Sequence, residues 1–208
     1  MEFNEKEHVV DVYNAIATMF SSTRTKYRIW GFVKRFIETI DKRERILDAG
    51  CGNGKNMIQG YNFEGFDISE NLVKIARDTG YNIKLGSVTE IPYENNIFDR
   101  VICIAVIHHL NSRERRIKCL EEISRVLKLG GTALVSGWQY SDSDPKRDNI
   151  DGFVDWKDPK NDKVYKRYYH MFVEGELDEL VSNVNSLQII DTGYEQQNYF
   201  VIVKKVDG

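Results

Sequence analysis

Cysteine is scarce in this sequence. Its 208 residues carry three, Cys51, Cys103 and Cys119, an odd number with no CxxC pair. That excludes a disulfide framework and a zinc knuckle, and it suits a reducing compartment. Long apolar runs are scarce as well: the longest, Val101 to Ile107, is far short of the roughly 20 residues a membrane span needs. The opening stretch MEFNEKEHVV is charged and lacks the apolar core of a signal peptide. Neither sign of charge dominates, with 29 Lys and Arg against 32 Asp and Glu for a net −3. A case for nucleic acid must therefore rest on local clusters. No internal repeat or low-complexity tract is present. With 41% hydrophobic residues, the expectation is a soluble single domain, 1–208, in the cytoplasm or the nucleus, with no membrane contact and a core that needs no staples.

Val9, Val12, Tyr13, Ile16 and Phe20 recur at helical spacing, and a second helix runs through Val33, Phe36, Ile37 and Ile40. RILDAGCGNG then reads as a short strand meeting a glycine-rich turn, and FEGFD as a second strand ending on Asp67. Ser69 caps a helix that Gly80 closes. NIKLGSV is a third strand. FDRVICIAVI is a fourth, apolar at consecutive positions as a strand buried on both faces should be. Ser112 caps a helix closed by Gly130-Gly131, and TALVSGW is a fifth strand. The alternation predicts an α/β fold: a mostly parallel seven-stranded sheet with helices on both faces and a C-terminal antiparallel hairpin, LQIIDTGY with NYFVIVKKV. The chain divides into N-terminal helices and connector (1–44), a ligand-binding core (45–140), an irregular lid or loop (141–167), and a helix with the closing hairpin (168–208).

The sharpest motif is Asp48-Ala-Gly50-Cys51-Gly52-Asn53-Gly54. Alternate glycines let the backbone turn tightly and let a ligand approach where a Cβ would clash. A nicotinamide fingerprint would place its third glycine at position 55, which is Lys55. Asp67, closing the next strand, could accept hydrogen bonds from both hydroxyls of a ribose, and Asp48 would serve a cationic amino group. A ligand with a ribose and an ammonium fits better than a dinucleotide.

This pattern, over roughly Arg45 to Trp138 plus the hairpin, resembles the Rossmann-like class I S-adenosylmethionine-dependent methyltransferases. The resemblance implies that S-adenosylmethionine is held by Asp48, Gly50, Cys51, Gly52, Asn53 and Gly54, by Asp67 and Ile68, by Ser87 and Val88, and by Ile104 and Ala105. The family commonly has an acid after the third strand; here Ser87 or backbone groups would meet the adenine. Relatives that methylate exocyclic base amines carry Asn/Asp-Pro-Pro-aromatic after the fourth strand. Here that position reads Ile104-Ala105-Val106-Ile107-His108-His109, which disfavours such an amine.

Five segments in order, VYNAIATMFSSTRTKYRIW, DAGCGNGKN, IAVIHHLNSRERR, KRYYHMFVEGEL and QNYFVIVKK, closely resemble the eukaryotic tRNA wobble-uridine carboxymethyl methyltransferases, including the methyltransferase domain of the AlkB-homologue wobble-uridine enzymes. The resemblance implies esterification of 5-carboxymethyluridine at the anticodon wobble position, and a small zinc-binding activator protein as partner. A carboxylate is ionised at pH 7, so no strong base is required. The alternatives are a small-molecule carboxyl or hydroxyl methyltransferase, or a non-catalytic methyltransferase-like binding subunit.

The resemblance places His108, His109, Arg24, Tyr168 and His170 at the reaction. It places Arg24, Lys26, Arg113, Arg115, Arg116, Trp138, Arg167 and Asn198 on the tRNA, where cations interleaved with aromatics suit an unstacked anticodon loop. Solvated helix ends and loop charge are the plain alternative for each cluster. The His108-His109 pair is half a metal site, but no nearby Cys, Asp or Glu completes it, so no metal is expected. One histidine faces the acceptor and the other packs; the sequence does not say which.

Overall fold

The computed structural model describes residues 4–24, 28–158 and 162–208; Lys26 lies outside them. One sheet organises the chain. Its strands are β1 (Arg45–Ala49), β2 (Asn62–Asp67), β3 (Asn82–Leu85), β4 (Phe98–Ile104), β5 (Leu127–Trp138), β8 (Leu187–Glu195) and β9 (Asn198–Lys205), in the order β3-β2-β1-β4-β5-β9-β8. The first five are parallel, and β9 runs antiparallel to both β5 and β8. Alternate side chains of each central strand serve opposite faces. Leu47, Ala49, Val101 and Cys103 meet α4 (Arg113–Val126) and α5 (Glu176–Ser182) on one face. Ile46, Ile102 and Ile104 meet α2 (Gly31–Glu38) and α3 (Glu70–Arg77) on the other. Helix α1 (Asp11–Arg24), entered through a π-helical turn Lys6–Val10, packs Val12, Ile16 and Phe20 with Leu72 of α3.

The expected helix caps form: Ser69 Oγ accepts the Leu72 N–H at 3.2 Å and Ser112 Oγ accepts the Arg115 N–H at 3.3 Å. The end of α4 differs. The helix stops at Val126, and β5 already starts at Leu127, which pairs with Phe98 before the register shifts toward Arg100–Thr132. Gly130-Gly131 is therefore an irregularity within the strand rather than the stop of the helix.

Segment 141–167 is irregular only in part, in its first ten residues and between two strands. It holds β6 (Asp151–Lys157) and most of β7 (Val164–His170), an antiparallel two-stranded sheet that crosses the expected boundary at 167. No alternation marks this hairpin in the sequence because the end of β7 is buried on both faces by polar residues: Arg167, Tyr168, Tyr169 and His170 are all buried. Three of the residues expected at the acceptor or the RNA are engaged in contacts within this hairpin, between it and α5, or beside it. His170 is buried between two carboxylates, Nδ1 3.0 Å from Asp151 Oδ1 and Nε2 2.6 Å from Glu176 Oε1. The Tyr168 hydroxyl donates to Asp151. Buried Arg116 donates to the Leu110 carbonyl at 2.9 Å and lies 4.0 Å from Glu176. Ion pairing and burial occupy all three, so none presents its polar group to an RNA-facing surface.

Among the described residues no helix is long and apolar enough to cross a membrane, and no three His, Cys, Asp or Glu side chains form a group that could hold a metal ion.

Burial alone would raise the Glu176 carboxyl, but the hydrogen bond and charge of His170, the Val173 N–H and Arg116 outweigh it and hold the group below the ordinary carboxylate range. A depressed carboxylate stabilises the fold above its unfolded pKa and loses that contribution as pH falls through its folded value. Glu176→Gln should cost roughly 1–3 kcal/mol at neutral pH and flatten the fall in stability below about pH 4.3. Denaturant melts from pH 7 to the acid limit check this. An acid limb as steep as that of the wild type would show that the pin does not hold the hairpin.

Candidate active site

The chain leaves β1 toward β2 and β3 on one side of the sheet and leaves β4 toward β5 on the other, so the carboxyl ends of β1 and β4 flank the switch point where open α/β sheets bind ligands. A cleft enclosing about 980 Å³, its open mouth included, lies there. Its walls are Gly50–Asn53, Lys55 and Asn56 after β1, Asp67 and Ile68 after β2, Gly86–Val88 after β3, and Ile104–Val106 with His109 and Leu110 after β4. Tyr13, Phe20 and Arg24 of α1, with Trp30, close the remaining side.

Asp67 organises the glycine turn. Its Oδ2 accepts the Gly52 N–H at 2.8 Å and its Oδ1 accepts the Ser69 N–H at 2.9 Å. Each oxygen keeps lone-pair capacity for a further donor, the arrangement a vicinal diol needs. Burial raises its pKa against the backbone N–H groups of Ser69, Gly52 and Ile68. Gly50 (φ 79°) and Gly52 (φ 56°) are both left-handed. A Cβ on Gly50 would lie 2.5 Å from Val106 Cγ2, so that position tolerates no side chain. Asn53 ties the turn to α1 by donating to Ser21 Oγ at 3.1 Å. Gly54 (φ 78°) shapes the turn outside the cleft wall.

Asp48 is 1% exposed and does not line the cleft. Neither of its oxygens has a partner. Burial, then the charge of Asp67, pushes its carboxyl up to about 8. The ammonium contact expected for it is thus not a direct one in this conformation: behind the turn and without a cation beside it, the carboxyl is largely protonated at pH 7. Ser87 does line the cleft, but its hydroxyl is 2.9 Å from Thr89 Oγ1 and accepts the Thr89 N–H at 3.3 Å, so it is engaged within its own loop. Ala105 holds a left-handed φ of 58° at the end of β4, a conformation costing a residue with a Cβ about 1–2 kcal/mol and typical of functional edges.

The opposite wall separates the two histidines. His109 lines the cleft. Its Nδ1–H donates to the Tyr168 carbonyl at 2.8 Å, and since a carbonyl only accepts, Nε2 is the acceptor for the Tyr13 hydroxyl at 2.9 Å. Burial, with Arg167 and Arg24 adding to it and the Tyr168 bond opposing, pushes its pKa down to about 3. His108 packs behind, accepting the Trp138 N–H on Nδ1 at 3.2 Å, its ring centroid 4.7 Å from that of Tyr169. Burial and then His109 hold it well below the usual histidine range. Both are neutral at pH 7.

Of the remaining expected residues, Arg24 lines the cleft with its guanidinium 4.8 Å over the Phe20 ring. Trp138 stacks on Tyr169 at 4.9 Å. Arg167 is buried, its Nη1–H donating to the Tyr169 hydroxyl at 2.7 Å. Arg113 pairs with Glu179 at 3.1 Å and Arg115 with Glu5 at 2.5 Å, both nearer the surface. Asn198 is buried; its Nδ2 donates to the Gln196 carbonyl at 2.8 Å within the hairpin turn, and its Oδ1 has no partner among the described residues. Sequence reasoning missed Tyr13 and Lys55. Tyr13 looked like one more apolar residue on a helix face; Lys55 was noticed only as a missing glycine, although burial and Arg24 lower its pKa at the cleft wall.

The methyltransferase domain model matches residues 47–135, from β1 into β5. The tRNA (carboxymethyluridine(34)-5-O)-methyltransferase of Schizosaccharomyces pombe is 34% identical, covering 97% of this chain and 97% of its own length. The protein of the same name in Arabidopsis thaliana is 43% identical over 67% of this chain and 35% of its own length. Among solved structures, the complex between the Haloferax volcanii Trm112 methyltransferase activator and a putative methyltransferase matches with a TM-score of 0.73 at 16% identity, over 96% of this chain and 98% of that one, a likeness of fold. With its seven-stranded sheet, its acid-flanked glycine turn and this full-length likeness, the chain belongs to the tRNA (carboxymethyluridine(34)-5-O)-methyltransferase family.

Proposed function

We propose that this chain transfers a methyl group from S-adenosylmethionine to the carboxylate of 5-carboxymethyluridine at the wobble position of tRNA, giving the methyl ester. The observation that carries this reading is the division of charge across the cleft. Two buried acids, Asp48 and Asp67, stand on one side, and Arg24 and Arg167 act on the histidines of the other. A cationic cofactor and an anionic acceptor fit that division.

The residues present fit S-adenosylmethionine. Asp67 offers two oxygens to a ribose, the left-handed glycines open the backbone, and the unpartnered Asp48 is a carboxyl that a cation arriving above it would draw into its ionised form. When bound, the cofactor supplies a methyl group already activated on a sulfonium. The protein's share is alignment and exclusion of water, which can lower a barrier by roughly 7–11 kcal/mol. Tyr13, fixed by His109, and Arg24 orient the acceptor from α1. No residue need remove a proton, because the acceptor is already ionised. Lys26, Arg113 and Arg115 are the remaining candidates for the anticodon phosphates. A small zinc-binding activator completes the enzyme in the cytoplasm or nucleus, a reading supported by the fold shared with the archaeal methyltransferase solved with its activator. The small-molecule and non-catalytic alternatives are not favoured: the first does not account for full-length likeness to a tRNA enzyme, and the second does not account for an intact Asp67 and glycine turn.

Purified chain, alone and with activator, should move radiolabelled methyl from S-adenosylmethionine to an anticodon stem-loop carrying 5-carboxymethyluridine and not to one carrying uridine. Equal labelling of both would contradict the reading. Asp67→Ala should lose about 2–4 kcal/mol of cofactor affinity by calorimetry, the worth of two hydrogen bonds to a carboxylate. At saturating cofactor, turnover should show no histidine limb between about pH 5.5 and pH 8, because His109 stays neutral. A limb near pH 6.5 that disappears in His109→Gln would make it a general base.

A further inference from the structure

We propose that Arg167 is the residue that reads the acceptor's negative charge, and that it favours the carboxylate substrate over the neutral ester product. The proposal rests on the functional reading above and deepens it.

Three arginines are buried among the described residues: Arg116, Arg147 and Arg167. Arg116 has Glu176 and the Leu110 carbonyl, and Arg147 has Asp144 at 2.8 Å. Arg167, 6% exposed, forms no ion pair with a carboxylate among the described residues. Its neighbours are the Tyr169 hydroxyl at 2.7 Å and the faces of Trp156 and Tyr169, 5.1 and 5.2 Å from its guanidinium carbon; its Nε–H has no partner. A buried guanidinium held by the Tyr13 and Tyr169 hydroxyls and two ring faces, with no carboxylate among them, carries an uncompensated charge, a costly state that persists where an anion is to arrive. The cleft is close along a continuous chain: the Tyr169 hydroxyl is 3.5 Å from that of Tyr13, which is 2.9 Å from His109 Nε2, and Tyr13 and His109 both line the wall. Glu5, which also lines the cleft, is paired with Arg115.

Methylation would form a carbon–oxygen bond at the carboxylate as the methyl carbon–sulfur bond of the sulfonium breaks, its electron pair staying on sulfur as a neutral thioether, so the acceptor loses its charge. The counter-ion that attracts the substrate then has nothing to pair with, so the interaction that favours binding also favours release of the ester.

The test uses three anticodon stem-loops differing only at the wobble base, which is 5-carboxymethyluridine, its neutral amide or its methyl ester. Binding is measured to wild type, Arg167→Lys and Arg167→Met with S-adenosylhomocysteine present. Wild type should prefer the carboxylate over the amide and the ester by about tenfold or more. Arg167→Met should bind all three alike, near the wild-type affinity for the amide, and Arg167→Lys should keep part of the preference. Arg167→Met should melt no lower than wild type, because it removes an unpaired buried charge. An undiminished carboxylate preference in Arg167→Met would overturn the proposal. So would a lower melting point with all three affinities falling together, which marks a structural arginine. A wild type that transfers no methyl to the carboxymethyl stem-loop would instead overturn the functional reading on which this one rests.

Discussion

Two carboxylates buried side by side govern this molecule. Asp48 and Asp67 stand at the carboxyl ends of neighbouring strands, and burial followed by the charge of Asp67 raises the cost of ionising Asp48. Asp67 offsets its burial by drawing in the Gly52 and Ser69 N–H groups, and those two bonds set the path of the glycine turn. Asp48 has no such relief and keeps both oxygens unpaired. A pocket so loaded is complete only with a cation in it, and its floor depends on the β1–β2 and β1–β4 pairing that delivers the strand ends together.

The other side of the cleft is built from different material. The β6–β7 hairpin carries Arg167, Tyr168, Tyr169 and His170 on consecutive positions. His170 is held within the hairpin by Asp151 of β6 and pinned to the body by Glu176 of α5, and the Tyr168 carbonyl fixes the tautomer of His109. One short sheet thereby orders the histidine, places the buried arginine near it and holds both against α1. The result is a wall that is positive and contains no ionised base, opposite a floor that is negative.

The central architecture was legible because strands buried on both faces and capped helices leave strong local marks: FDRVICIAVI is continuously apolar, and Ser69 and Ser112 stand where their helices begin. The glycine turn and Asp67 were legible for the same local reason. What escaped was set by long-range contacts. The β6–β7 hairpin hides its period because its buried positions are polar and are satisfied by residues elsewhere in the chain, such as Glu176. Arg116, Tyr168, His170 and Asn198 looked like surface chemistry, yet their partners bury them. Which histidine faces the cleft was decided by the Tyr168 carbonyl and the Tyr13 hydroxyl, 59 and 96 residues from it.

The account makes the acceptor a carboxylate on the wobble base, and its most direct measurement is nucleoside mass spectrometry of tRNA from cells lacking this protein. It predicts loss of the methyl ester with accumulation of 5-carboxymethyluridine or its amide, restored by the wild-type chain. An unchanged content of the ester would contradict it.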